Sequence, residues 1–275
     1  MIDIHTHCLQ PEHWGDEHRR HWQPIFGAEW PRYTPAEFDE AMTGVTTAIV
    51  FGIQATRAGV ATPNAFVARF CVEAKTRCIG LMALDPTDAD VMEQLEEGCG
   101  LGLRGIKLYP VLAHFRPGDP AHDRLFAEAE QRRLPVLWHM GATPSAPGDL
   151  SVTQPLLIDA VAQRFPRLVQ IIAHMGHPWF EDTVIVLRKN PNVFADISGV
   201  WFRPLGGYLA LTMASEWGVL DKLLFGSDYP IWTPAATLAG LRALAERNTG
   251  DLPRITPAMV EQIINRDALG RLGLG

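Results

Sequence analysis

LVQIIAHMGHPWFEDTVIVLRKNPNVFADI, residues 168–197, contains one complete unit of the predicted fold. The apolar run from Leu168 to His174 predicts a strand, the segment from Glu181 to Lys189 has helical periodicity, and the run from Val193 to Ile197 predicts a second strand. Two strands that are joined through a helix lie parallel in one sheet, and such crossovers are right-handed. The stretch therefore predicts a parallel α/β arrangement.

The same unit of strand, loop and helix recurs along the whole chain. Eight strand-like runs are present: Ile2 to His5, Thr47 to Phe51, Ile79 to Leu84, Gly105 to Leu108, Val136 to His139, Leu168 to His174, Val193 to Ile197 and Leu223 to Phe225. Helical segments separate them, and two further helices, Ala235 to Glu246 and Pro257 to Leu272, follow the last run. Eight such units most economically close into a single (β/α)8 TIM barrel, here one α/β domain over residues 1–275 with a C-terminal helix.

An open, doubly wound sheet is the structural alternative to a closed barrel. Sheets of that kind often carry a G-x-G-x-x-G pattern after the first strand, where it binds a pyrophosphate. The corresponding turn of this chain is rich in histidine and lacks that pattern. The sequence therefore favours the barrel.

Length, composition and charge restrict the class of protein. The chain has 275 residues, of which 47% are hydrophobic and 20% charged, so it can bury a sizeable core. Its net charge of −7, without a run of Lys and Arg, argues against a nucleic-acid partner. No charge-free apolar stretch of about 18 residues is present, so a membrane span is not expected.

Cysteine use and the first residues indicate a compartment. The four cysteines form no C-x-x-C pair and are interpreted as free thiols in a reducing environment. A polar motif begins almost at Met1, where a secretory signal would need an apolar run. We therefore expect a cytoplasmic protein. Because closed dimers are the commonest soluble assemblies, a homodimer is the default expectation for its oligomeric state.

The longest irregular polar stretch, Cys8 to Tyr33, follows the first predicted strand. A loop of this length in a compact domain is usually functional or mobile. Loops that follow barrel strands lie at the C-terminal face, where barrel enzymes carry their active sites. This long loop is therefore expected to cover the site as a partial lid.

Polar residues stand at the ends of several predicted strands. His5 and His7 are two residues apart in the first strand, so both side chains face the same way. His139, His174 and Asp228 end three later strands, and a barrel brings all strand ends to one shared mouth. Asp3 has the same parity as the two histidines and is expected to point into the barrel one layer deeper, in a structural role.

Each of these residues also has a purely structural interpretation. His139 or His174 would be an ordinary hydrogen-bonded core histidine, and Asp228 would simply cap the following helix. Several such coincidences at one barrel rim are less probable than a shared functional site. The convergence of these residues is therefore the observation on which the functional prediction depends.

The ordered set of strand-end residues resembles the signature of the amidohydrolase superfamily. The set comprises His-x-His on the first strand, one His on each of the fifth and sixth strands, and Asp on the eighth. Four segments are more narrowly similar to the amidohydrolase-related branch, which includes aminocarboxymuconate-semialdehyde decarboxylase, aromatic-acid decarboxylases and hydrolases. These segments are Ile2-Asp3-Ile4-His5-Thr6-His7, Gly105-Ile106-Lys107-Leu108, His174-Met175-Gly176 and Leu224-Phe225-Gly226-Ser227-Asp228-Tyr229-Pro230.

The resemblance implies a metal site and roles for its neighbours. By this likeness His5, His7, His139 and Asp228 bind one divalent metal ion, zinc in the first place and manganese as the alternative. Imidazole and carboxylate ligands with an open position for water agree with a catalytic zinc site. The same resemblance leaves His174 off the metal as an acid or base, and gives Asp228 a second role as proton acceptor.

Lys107 stands on the fourth predicted strand, where some amidohydrolases carry a carboxylated lysine that bridges two metals. In the related branch, the Gly-x-Lys-Leu strand usually accompanies a single metal, so one metal is expected and a binuclear site is the alternative. A simpler interpretation is a partly buried lysine near the mouth that attracts an anionic substrate.

Three further residues are candidates for substrate binding. Arg203 follows the seventh strand, where a guanidinium can hold a carboxylate through two hydrogen bonds. Trp138 and Trp201 adjoin strand ends and would suit a planar substrate. The structural interpretations are a solvated loop arginine and tryptophans packed in the core. We expect a small-molecule substrate that carries a carboxylate.

These features lead to one functional prediction and two alternatives. The prediction is a metal-dependent hydrolase that cleaves an amide, ester or lactone of a small organic acid with metal-activated water. The first alternative is a non-oxidative decarboxylase of an aromatic or unsaturated acid at the same site. The second is a barrel that binds a ligand without catalysis.

Overall fold

Eight parallel strands form a nearly closed barrel in the computed structural model, which describes residues 1–26, 32–247 and 249–275. The strands are β1 Ile2–His7, β2 Thr47–Phe51, β3 Cys78–Ala83, β4 Ile106–Leu108, β5 Val136–Trp138, β6 Gln170–Ile172, β7 Val193–Asp196 and β8 Leu223–Leu224. Each strand pairs with the next one along the chain. The predicted (β/α)8 barrel is confirmed.

The barrel closes between β1 and the segment after β8. The amide of Ile4 donates to the carbonyl oxygen of Phe225 at 3.0 Å, and the amide of His7 donates to that of Tyr229 at 2.7 Å. Because these bonds connect the first strand to residues just beyond the last one, the structure excludes the alternative of an open sheet. The closure also brings the end of β1 beside Asp228.

Helices surround the barrel and connect its strands. They are α1 Asp16–Phe26, α2 Pro35–Ala41, α3 Asn64–Glu73, α4 Val91–Gly100, α5 Pro110–Ala113, α6 Asp123–Arg132, α7 Leu156–Arg164, α8 Phe180–Lys189, α9 Pro204–Glu216, α10 Pro234–Ala245, α11 Pro257–Ile264 and α12 Ala268–Leu272. The predicted terminal helix is therefore two helices. Asp267 separates them, because its side chain accepts a hydrogen bond from the amide of Gly270 and so starts α12.

Side chains alternate between the interior of the barrel and the layer beneath the helices. Lys107, Leu137, Ile171 and Phe194 lie in register across β4 to β7 and face the interior. Trp138 belongs to the opposite set and packs under the helices. Apolar residues of the last helix and its tail, including Leu272, join the interior cluster, so the C-terminal segment covers that cluster.

β1 contains one extra residue, which decides where its side chains point. Asp3 pairs with Ala48, whereas His7 pairs with Phe51, and the register shifts between these pairs. Since Ala48 and Phe51 lie on opposite faces of β2, Asp3 and His7 face opposite sides, and the expectation that Asp3 points into the barrel is wrong. The Asp3 carboxylate accepts hydrogen bonds from the amides of His5 and Ser227 and so stabilises the bulge.

The long segment after β1 is more regular than its composition predicts. It contains α1, which begins at Asp16, and its residues 27–31 lie outside the described part of the chain. The amide of Gly15 donates to the carbonyl oxygen of Gly59 at 2.7 Å, which attaches the segment to a short antiparallel hairpin, Gln54–Ala55 with Val60–Ala61. The described part of this segment therefore packs on the face of the barrel where the C-terminal ends of the strands lie.

Candidate metal centre

Three side chains meet where the barrel closes and form the centre of the candidate site: His5, His7 and Asp228. The Nε2 atom of His5 lies 3.3 Å from Oδ1 of Asp228, and Nε2 of His7 lies 3.4 Å from the same oxygen. Donor atoms of the three residues all lie within 4.8 Å of one another, as metal ligands require. The structure thus brings together three of the four predicted ligands.

His139, the fourth predicted ligand, lies at the same mouth. Its ring stacks on Tyr109 with 3.9 Å between ring centroids and 8° between planes. The centroid of the His174 ring lies 5.0 Å from that of His139, in an edge-on arrangement. Nε2 of His139 is buried and has no hydrogen-bond partner among the described residues. A buried nitrogen of this kind is unfavourable unless a ligand or ion satisfies it.

Asp196, at the end of β7, is one of the residues that sequence reasoning missed. It is fully buried and accepts a hydrogen bond from Nδ1 of His5 at 2.8 Å. It also accepts bonds from the amides of His174 and Ser198, each at 3.0 Å, and from the Ser198 hydroxyl. Donor atoms of Asp196, His5 and His174 also lie close enough to hold a cation. Because the Asp196 oxygens already accept these hydrogen bonds, we assign Asp196 to orienting His5.

His174 reaches the site through an unusual backbone conformation. The strand parity of β6 points Ala173 into the barrel, so an extended chain would turn the next side chain away. His174 and Met175 instead have φ values of 54° and 48°, in the left-handed region. Such residues are uncommon and concentrate at functional sites. The turn lets His174 line the cavity, while its Nδ1 lies 2.7 Å from the Ser198 hydroxyl.

The protonation of these rings suits metal binding. Burial lowers the pKa of His5 to about 3, although Asp196 opposes this, and burial holds the pKa values of His7 and His139 well below the usual range. All three imidazoles are therefore neutral at pH 7, the form that binds metals. Burial also raises the pKa of Asp228, a shift that a neighbouring cation would reverse.

The proton positions provide a test of whether a cation fits. Nδ1 of His5 donates to Asp196, so its Nε2 carries a lone pair and no hydrogen. That lone pair faces the Asp228 carboxylate at 3.3 Å. Two electron-rich atoms at this distance repel each other unless a positive charge lies between or beside them. The residues present therefore fit a divalent cation.

A cavity of about 240 Å³ opens over these side chains. His7, His139, His174 and Asp228 lie on its wall. Aromatic rings form much of the rest, namely Trp14, Trp22, Tyr109, Phe202 and Trp232. Trp14 and Trp22 come from the long segment after β1, so that segment forms part of the cavity wall.

Arg203 brings a positive charge to the same cavity. Its side chain is exposed and lies on the wall together with His177. Burial, with the charge of Arg203 beside it, lowers the pKa of His177 to about 4. His177 is therefore neutral at pH 7, and Arg203 provides the positive charge at this part of the wall.

Lys107 lies outside the residues that line the cavity. It is fully buried, with Nζ 4.6 Å from the ring centroid of Phe51 and 5.7 Å from that of Tyr109. Burial lowers its pKa to about 7, and the carboxylates of Asp196 and Asp228 oppose that shift. Contact between Lys107 and substrate stays a prediction.

The two predicted tryptophans also lie apart from the cavity wall. Trp138 is fully buried beneath the helices, and its ring centroid lies 5.4 Å from that of Phe126. Its Nε1 donates a hydrogen bond to the side-chain oxygen of Gln170. Its neighbour in sequence, His139, takes the inward position, so Trp138 must face outward. Trp201 donates to Thr237 and packs against Trp232, which does line the cavity. Direct substrate contact by either tryptophan does not agree with these positions.

The missed residues had a recognisable signal. Asp196 and Ser198 end the seventh strand, just as the predicted residues end theirs, and the criterion of a polar residue at a strand end applies to them equally. Tyr109 likewise follows β4. Their roles depend on which partner each one meets, and that information is not local in the sequence.

The sequence matches the family model described as Amidohydrolase over residues 2–265. The chain belongs to the amidohydrolase family. Membership indicates an enzyme, in place of the non-catalytic barrel that was the second alternative. The resemblance noted from the strand-end motifs is thereby confirmed.

Solved structures of similar fold agree with this assignment. An uncharacterized TIM-barrel protein from Bordetella bronchiseptica has a TM-score of 0.74 and 22% identity, with 99% of this chain and 100% of that chain covered. A probable 2-pyrone-4,6-dicarboxylic acid hydrolase from Acinetobacter baumannii, with citric acid bound, has a TM-score of 0.71 and 15% identity, with coverage of 99% and 98%. At these identities the likeness shows the fold alone.

A decarboxylase is similar to this amidohydrolase to about the same degree. A dihydroxybenzoic acid decarboxylase from a Polaromonas species, with manganese and the inhibitor 2-nitroresorcinol bound, has a TM-score of 0.68 and 17% identity, with 99% of this chain and 96% of that chain covered. A comparison with curated proteins gave no match. Among the described helices of this amidohydrolase, none is both long and apolar enough to cross a membrane.

Proposed function

We propose that this amidohydrolase binds one divalent metal ion and hydrolyses an amide, ester or lactone of a small organic acid. The observation that carries the proposal is the approach of His5 Nε2 and His7 Nε2 to one oxygen of Asp228, at 3.3 and 3.4 Å. His139 would complete the ligand set with its unpartnered Nε2. Three imidazoles and a carboxylate suit zinc, with manganese as the alternative.

A bound divalent ion would polarise the substrate carbonyl and lower the pKa of water to about 7. The chain itself contributes the proton transfers. Asp228 lines the cavity, and its second oxygen would accept the proton of the attacking water. Since Nδ1 of His174 is occupied by Ser198, its Nε2 is the atom that would take up this proton from Asp228 and pass it to the leaving group.

The cavity supports a carboxylate-bearing substrate. Arg203 is positioned on the wall to pair with an anion, and a guanidinium binds a carboxylate more strongly than a neutral donor does. The aromatic rings of the cavity wall, among them Phe202 and Trp232, favour a planar or apolar body. A cavity of about 240 Å³ suits a small-molecule substrate.

Non-oxidative decarboxylation is the second candidate, and the aromatic walls of the cavity favour it. In that reaction the bond between the ring and the carboxyl carbon breaks, CO₂ leaves, and the electron pair on the ring carbon takes a proton. His174 lines the cavity, and its Nε2, after taking up a proton, would deliver it to the ring carbon. Both reactions use the same ligands, so geometry at the metal does not separate them.

A substrate panel distinguishes the two reactions. The zinc-loaded and the manganese-loaded protein are incubated with lactones, amides and aromatic acids, and released acid and released CO₂ are measured in parallel. Hydrolysis predicts acid release without CO₂, and decarboxylation predicts CO₂ with one proton consumed. Protein treated with a chelator serves as the control. If no compound of the panel reacts with either metal form, both candidates are contradicted.

A further inference from the structure

Asp196 connects the predicted metal ligand His5 to the predicted proton-transfer group His174. It is fully buried between them at the end of β7. One carboxylate oxygen accepts from His5 Nδ1 at 2.8 Å. The other accepts from the amides of His174 and Ser198 and from the Ser198 hydroxyl. All four hydrogen bonds place a donor against an ionised carboxylate.

The hydroxyl of Ser198 has only one hydrogen, and this decides the proton on His174. Because that hydrogen is directed to Asp196, the Ser198 oxygen can only accept a bond from Nδ1 of His174, 2.7 Å away. The carbonyl oxygen of Ser198, 3.2 Å from the same Nδ1, carries no hydrogen either. Both contacts require a proton on Nδ1, so neutral His174 keeps its lone pair on Nε2.

The same reasoning fixes the proton on His5. Its Nδ1 lies 2.8 Å from Asp196 and 3.4 Å from the Ser198 oxygen, and both atoms act as acceptors toward it. Nε2 of His5 is therefore unprotonated and faces Asp228 Oδ1 at 3.3 Å. Had the proton been on Nε2, His5 could not bind a metal ion there.

We infer that Asp196 fixes the proton position on both histidines, directly on His5 and through Ser198 on His174. Asp196 and Ser198 are thus positioning residues that couple metal binding to proton transfer. The role of His174 in turnover rests on the proposed function, whereas the proton positions do not. A carboxylate of this kind typically affects metal affinity or activity 10–100-fold.

The first test needs no variant. Long-range ¹H–¹⁵N NMR spectra of ¹⁵N-labelled protein, metal-free and zinc-loaded, distinguish protonated from unprotonated ring nitrogens. His174 signals are assigned by their loss in His174→Asn. We expect neutral His174 with a protonated Nδ1 and an unprotonated Nε2 in both samples. A proton on Nε2 in both samples would overturn the inference, whether or not any substrate is found.

The second test separates the two branches of the network. In Asp196→Asn the amide presents a donor to His5 Nδ1, which moves the His5 proton to Nε2. We expect zinc affinity, measured by competition with a chromogenic chelator, to fall about 10–100-fold. Asp85→Asn is the matched control: Asp85 is also fully buried at a strand end, but its hydrogen bonds go to Thr56 and Thr87. The control should bind zinc like the wild type.

Ser198→Ala tests the branch to His174. The variant keeps the contact between His5 and Asp196, and leaves Nδ1 of His174 only the carbonyl contact at 3.2 Å. We expect a zinc affinity close to the wild-type value, because the 2.8 Å bond from His5 to Asp196 remains and only the 3.4 Å contact of His5 with Ser198 is lost. We also expect a smaller fraction of His174 with protonated Nδ1 and about tenfold slower turnover of a panel substrate. Wild-type zinc affinity in Asp196→Asn, or an unchanged His174 signature in Ser198→Ala, contradicts the corresponding branch. If Asp196→Asn does not fold, the wild-type spectra still decide.

Discussion

His5 Nε2 and Asp228 Oδ1 lie 3.3 Å apart at the mouth of the barrel, although the hydrogen of the His5 ring is on the opposite nitrogen. The two residues are brought together where β1 pairs with the chain beyond β8, and the amide of Asp228 donates to the carbonyl oxygen of His5 at 2.8 Å. This contact between two acceptors supports the cation that we propose at the site.

His139→Ala should abolish stoichiometric metal binding. The substitution removes a buried imidazole whose Nε2 has no partner among the described residues, and so removes one predicted ligand. Elemental analysis after dialysis against a mild chelator should find about one zinc per wild-type chain and almost none in the variant. The exposed His21 provides the control His21→Ala, which should keep its metal. Full metal occupancy in His139→Ala would remove this residue from the ligand set.

His174→Asn should lose turnover and retain metal. His174 lines the cavity without belonging to the predicted ligand set, and acid or base catalysis by such a group contributes about 10²–10⁴-fold. We expect kcat for the best panel substrate to fall at least about 100-fold. The zinc content, measured on the same sample, should stay at the wild-type value. Loss of the metal together with activity would instead make His174 a ligand.

Arg203→Met should weaken binding of carboxylate substrates. Removal of the guanidinium from the cavity wall should raise KM about tenfold with a smaller change in kcat, because a hydrogen bond to a charged group contributes about 1.5 kcal/mol or more. The same substrate as its methyl ester should show little difference between variant and wild type. Arg124, exposed on α6, gives the control Arg124→Met, for which KM should not change.

Gly226→Ala should disturb the proposed metal site because the added methyl group would crowd His5. A Cβ atom at this position would lie 2.8 Å from Cβ of His5, closer than real contacts allow. Such crowding in a packed core costs about 1–3 kcal/mol of folding free energy, and here it would also displace a predicted ligand. Urea denaturation and zinc titration should both show the loss. At Gly100, where an added Cβ meets nothing within 4 Å, Gly100→Ala should leave both measurements nearly unchanged.

The stability of the long segment after β1 should depend on pH through His18. Burial lowers the pKa of His18 to about 4, and its ring stacks on Trp14 with centroids 4.8 Å apart. The folded pKa lies below the usual value of about 6.5, so the unfolded chain binds this proton more tightly. The stability that neutral His18 contributes to the folded state is therefore fully present above pH 6.5 and is lost as the pH falls towards 4.

His18→Phe provides the measurement for this pH effect. Phenylalanine keeps an aromatic ring against Trp14 and cannot be protonated, so the variant should lose less stability than the wild type between pH 6.5 and 4. A pKa shift of this size corresponds to about 3 kcal/mol of folding free energy between neutral and acidic pH. Urea denaturation at several pH values, followed by tryptophan fluorescence, gives the two curves. Parallel curves would contradict a buried neutral His18.

Local patterns in the sequence were sufficient to predict the barrel. Strands and helices are encoded by periodicities of about two and 3.6 residues, which need no knowledge of distant contacts. Closure then follows from eight parallel units, and it places strand ends at one mouth, so His5, His7, His139 and Asp228 could be proposed together. The sequence also carried the family motifs, which the match over residues 2–265 bears out.

Only the tertiary structure decided how these side chains meet. The bulge in β1 turns Asp3 away from His7, and the left-handed backbone turns His174 into the cavity, both against simple alternation. Asp196 lies 191 residues from His5 in the chain, and their hydrogen bond sets the proton on a predicted ligand. Such bonds depend on register and backbone geometry between distant elements, which local periodicity does not encode.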